Sequence, residues 1–141
     1  MLSIPDLTMA KQIADVAGEL GRQRTGLMPT GVSVVQSDGT LVITLHGALS
    51  RAEKALAGTA EGAVQVQEFH RQLFASNAAA LRSEIKRITG VEVREATAEV
   101  EPSTGTVVAV FATGTIVQVF LLKSSIPTDT WDAGGTDGPS Q

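Results

Sequence analysis

Apolar and polar positions alternate along this chain in two periods, one helical and one extended. Met9, Ile13, Val16 and Leu20 recur at four-, three- and four-residue spacing, which predicts an amphipathic helix that ends at Gly21. Val32–Gln36 and Leu41–Leu45 are short β-rich runs joined through Ser37-Asp38-Gly39-Thr40, and an Asp-Gly pair between such runs predicts a hairpin. Leu49-Ser50-Arg51-Ala52-Glu53 carries a capping box, in which Ser50 and Glu53 satisfy each other's backbone N–H groups at the start of a short helix. After Gly62 a long helix is expected to run to Thr89 and stop at Gly90, with Val66, Phe69, Leu73, Leu81, Ile85 and Ile88 on its apolar side. Val91–Val100, Thr106–Ala112 and Ile116–Leu122 read as strands.

The resulting order is α-ββ-αα-βββ. Hairpin-connected strands predict an α+β fold, with an antiparallel sheet of about five strands and the helices packed on one face. A single domain is expected over residues 1–123. Residues 124–141, rich in Gly, Pro and Asp, are expected to be a disordered tail.

Composition narrows the chemistry. The 141 residues include no cysteine, which removes disulfides, thiolate metal sites and cysteine nucleophiles together. A net charge of −4 and an aromatic content of 4% argue against nucleic-acid binding, since there is neither a basic field nor a stacking platform. The longest apolar run, Val107–Leu122, is broken by Thr113-Gly114-Thr115 and Gln118, so no direct membrane insertion is expected and a cytoplasmic location is. No serine or histidine stands in a nucleophile motif, and no metal-ligand spacing occurs, so neither an enzyme nor a cofactor is expected.

Three groups of residues remain as candidates. His70, Asn77 and Glu84 lie seven residues apart on the long helix, inside its apolar arc. Buried polar groups cost about 1–3 kcal/mol each when unpaired, so the stripe needs partners. It can be a half-wet overhang or a dimer seam, which predicts a homo-oligomer, or the wall of a polar ligand groove beneath the helix. Arg22 and Arg24, in the glycine-flanked segment Gly21–Gly26, form a possible anion-contacting loop, though that segment lacks the Gly-Lys-Ser/Thr ending of a phosphate loop. His46 closes a strand, where it caps an edge.

From Thr8 to Leu122 the order of signatures resembles the MpsC-like family, named after the third component of a bacterial sodium-translocating, membrane-potential-generating system. The shared features are the opening helix, the loop ending in Pro29, and Leu45-His46-Gly47-Ala48-Leu49-Ser50-x-x-Glu53. They continue with Leu56, Gly62, Val66 and Arg71, then Ile88-Thr89-Gly90-Val91-x-Val93, then Val119-Phe120-Leu121-Leu122. The resemblance implies a small accessory protein beside a membrane ion-translocating complex and no catalytic residues. It also adds Arg71 to the candidate interface or groove. A small-ligand-binding regulatory module is the alternative.

Overall fold

The computed structural model describes residues 8–95, 107–110 and 114–133. Helix α1 (Met9–Thr25) is capped by Thr8, whose hydroxyl accepts from the Lys11 N–H. The helix runs through Gly21 and stops at Gly26, in the left-handed region at φ 79°. Arg22 and Arg24 are therefore the last turn of a helix and not a loop. A mid-helix glycine costs about 1 kcal/mol relative to alanine, and here Glu19 holds Arg22 at i,i+3 across it.

Strands β1 (Gly31–Ser37) and β2 (Thr40–His46) form the expected hairpin, turning on Asp38 and Gly39 with φ 53° and 80°. Two successive positive φ values define the tight turn that matches strand twist. Helix α2 (Arg51–Leu56) follows, and α3 (Ala60–Thr89) spans 30 residues, about 45 Å at 1.5 Å per residue. Gly62 lies inside the first turn of α3, where a Cβ would fall 1.8 Å from the Leu56 carbonyl oxygen. Only glycine permits so close a junction between α2 and α3.

Strands β3 (Val93–Glu95), β4 (Val107–Val110) and β5 (Ile116–Leu122) complete an antiparallel sheet ordered β1-β2-β5-β3, with β4 also paired to β5. Val93 pairs with Leu122 and Val107 with Val119, so β3 and β4 lie end to end along one edge of β5. Five strands thus occupy four positions. The expected turn at 101–105, and the parts of the expected strands at 96–100, 106 and 111–112, lie outside the described residues.

Residues Leu41, Ile43 and Leu45 of β2 and Ile116, Phe120 and Leu122 of β5 are buried against α1 and α3. The Phe74 and Phe120 rings meet at 5.6 Å between centroids. Helix α3 has buried residues along its length, from Gly62 to Thr89, packed on α1 and α2 as well as on the sheet. Its rotation also differs from the expected one. Phe69 is 48% exposed, and Phe74 takes the inward place.

The chain does not become a tail after Lys123. Helix α4 (Thr128–Ala133) packs on α1, with Ile126 4% and Trp131 8% exposed. Two large apolar side chains suffice because α1 supplies a ready-made surface to cover. The rest of the expected tail, 134–141, lies outside the described residues.

Candidate functional site

The site is assembled from three local arrangements that meet beneath the middle of α3. The first is the capping box. The Glu53 N–H donates to Ser50 Oγ at 3.1 Å, and the Ser50 N–H donates to Glu53 Oε1 at 2.9 Å. The second carboxylate oxygen, Oε2, lies 2.7 Å from His70 Nε2. A carboxylate only accepts, so Nε2 carries the proton and the tautomer of His70 is fixed. Burial alone would raise the Glu53 pKa. The bonds from the Ser50 backbone and from His70 outweigh it, and the carboxyl ends below its ordinary value. His70 is 6% exposed.

The second arrangement ties α1 to α3. Arg24 Nε donates to Asn77 Oδ1 at 2.8 Å, and Nη2 to the Ser76 carbonyl at 3.5 Å. Asn77 is itself buried. The seven-residue spacing of His70 and Asn77 therefore points both into the molecule, where Glu53 and Arg24 partner them. They are not a seam between copies.

The third is Gln118 of β5. It stands between Ile116 and Phe120 on the helix-facing side, and its buried Oε1 has no hydrogen-bond partner among the described residues. These groups enclose a cavity of about 60 Å³, where Arg24, His70, Asn77 and Gln118 meet the apolar surface of Leu73 and Phe74.

The remaining candidates stand apart from it. Glu84 accepts from Arg87 at 2.9 Å and 2.6 Å, on a half-buried flank of α3. Arg71 donates to Glu68 at 2.9 Å and 2.6 Å. Arg22 is held by Glu19, and neither lines the cavity. His46 is exposed at the end of β2, where its carbonyl accepts from Thr30. The described residues contain no group of three or more His, Asp or Glu able to hold a metal ion.

Sequence reading picked out His70, Asn77 and Arg24 but not their partners. Glu53 was legible only as a cap. Gln118 had one visible signal: a polar side chain at an inward position of period two, between two large apolar ones.

A family model described as Na+-translocating membrane potential-generating system (MpsC) matches residues 6–115. No curated protein and no solved structure matches the chain. The matched span takes in α1, the hairpin, the capping box and all of α3, and the chain belongs to the MpsC family.

Proposed function

We propose that the protein is a non-enzymatic accessory component of a sodium-translocating, membrane-potential-generating system, acting from the cytoplasm on a complex that spans the membrane. The family match over residues 6–115 carries this reading. One feature agrees with it. No helix among the described residues is long and apolar enough to cross a membrane.

The test is genetic and electrical. Deleting the chain from its cell should reduce the sodium-dependent membrane potential, read with a voltage-sensitive dye, and the full chain supplied in trans should restore it. An unchanged potential in the deletion strain would overturn the reading. A second reading, a small-ligand sensing module, is favoured by one specific observation: the cavity beneath α3 is lined by Arg24, which meets no carboxylate among the described residues.

A further inference from the structure

The cavity's chemistry is more selective than its size suggests. Arg22, Arg71 and Arg87 each meet a carboxylate, on Glu19, Glu68 and Glu84. Arg24 does not: among the described residues its hydrogen bonds end on two neutral oxygens, Asn77 Oδ1 and the Ser76 carbonyl. A guanidinium has five N–H donors, so most of its donors and its whole charge remain open at the exposed rim of the cavity. Asn77 fixes the plane in which they are presented.

No acidic side chain is found among the described residues lining the cavity, although the chain as a whole carries −4. A cation has nothing to meet there and an anion has Arg24. Leu45, Leu73, Phe74 and Ile116 add apolar wall. A water needs about 10–15 Å³ of such space, so 60 Å³ admits a body of about five non-hydrogen atoms.

We propose that this cavity binds a short monocarboxylate of two or three carbons, its carboxylate on Arg24 and its alkyl part against Leu73 and Phe74. The proposal rests on the sensing reading and names its ligand class. Arg24 recognises a planar carboxylate through paired N–H donors, the strongest neutral-pH contact available to it.

The experiment uses the full chain, with titration calorimetry and thermal melts in acetate, propionate and lactate against chloride at matched ionic strength, and with propionamide as the uncharged analogue. Saturable binding is expected for the carboxylates and absent for chloride and propionamide. Arg24→Gln should weaken it by about tenfold or more, the scale of a lost charge-assisted pair. Arg24 is exposed, so this variant should fold, which circular dichroism checks. Arg22→Gln should leave binding unchanged, because Arg22 lies outside the cavity. Carboxylates no better than chloride, or binding indifferent to Arg24→Gln, would overturn the proposal. Propionamide binding without carboxylate binding would overturn it while sparing the sensing reading. Binding by none of the probes would count against both and leave water as the occupant.

Discussion

Glu53 shows how one side chain can hold two levels of structure at once. One oxygen completes the cap of α2, and the other receives the buried Nε2–H of His70 on α3. Ser50→Ala removes only the cap acceptor and should cost about 0.5–2 kcal/mol, the usual range for an N-cap. Taken as the weaker half of a capping box, Glu53→Ala would cost less. The His70 contact reverses that order, since removing Glu53 also strands a buried N–H at about 1–3 kcal/mol. Urea unfolding should therefore rank Glu53→Ala as the more damaging change. Equal losses would mean that His70 finds another partner.

The same contact predicts an acid response. A carboxyl whose pKa is lowered by folding contributes stability that is fully present above its unfolded value of about 4.5 and is lost as pH falls through the folded value. Melting temperature should fall as pH drops below about 4.5, and Glu53→Gln should flatten that fall. Glu92 also titrates low, at about 2, because hydrogen bonds from Lys123 and then Lys86 hold it charged. It is exposed, so added salt screens its share. The slope that survives at high salt belongs to Glu53.

At the scale of elements, what could be read from the sequence was whatever is local. The β1–β2 hairpin follows from an Asp-Gly pair between two alternating runs, and the capping box from a three-residue spacing. Both involve neighbours. Arg24 and Asn77 are 53 residues apart, and no local period records their bond. Without it, Gly21-Arg22-Gln23-Arg24-Thr25-Gly26 has the composition of a loop, yet it completes α1. The spacing of His70 and Asn77 was visible, but a period of seven does not say which neighbour covers the face. Gly62 belongs here too, read as the residue before a helix and found within its first turn. Gly62→Ala should destabilise by roughly 1–3 kcal/mol, the range for overpacking, because the Leu56 carbonyl cannot retreat without moving α2. A melting temperature at or above the parent's would show that the α2–α3 junction gives way freely.

Helix α4 is the clearest case of non-local order. Its own sequence, TDTWDA, has no helical stripe, and its apolar payload is Trp131 together with Ile126 upstream. Burial follows because α1 is already there. Trp131→Ala should cost about 3–5 kcal/mol, as for other large core aromatics, and truncation after Lys123 should lower the melting temperature at least as far. Trp131 is the chain's one tryptophan, so its emission reports the docking directly. Native emission typical of water-exposed indole would contradict a packed α4.

On the whole-molecule scale, the uneven distribution of charge decides where copies can meet. Strands β1, β2 and β5 contain no Asp, Glu, Lys or Arg, although charged residues make up 18% of the chain. Their inward positions form the core. Their outward positions line up in cross-strand rows, Ser33–Thr44–Val117, Val35–Val42–Val119 and Ser37–Thr40–Leu121. Val35 is 60% exposed, and the other apolar members of these rows are half-buried. On α3, His70 and Asn77 are buried and partnered by Glu53 and Arg24, so that stripe is closed to a second copy. The uncharged sheet face lets two molecules of charge −4 approach without direct repulsion, and a two-fold axis makes it self-complementary. Its size sets the strength. Three strands about 4.8 Å apart and seven residues of about 3.3 Å each give roughly 330 Å² per copy. Two copies would bury roughly 660 Å², below the 1,200 Å² or so of stable interfaces. The expected outcome is a weak dimer: one-chain mass at low micromolar concentration in light scattering, and association as concentration rises toward millimolar. Val35→Glu should abolish that association, because it places like charges across the axis. Arg22→Ala, on α1, should leave it intact. A tight dimer at low micromolar concentration, or one indifferent to Val35→Glu, would put the contact on another surface.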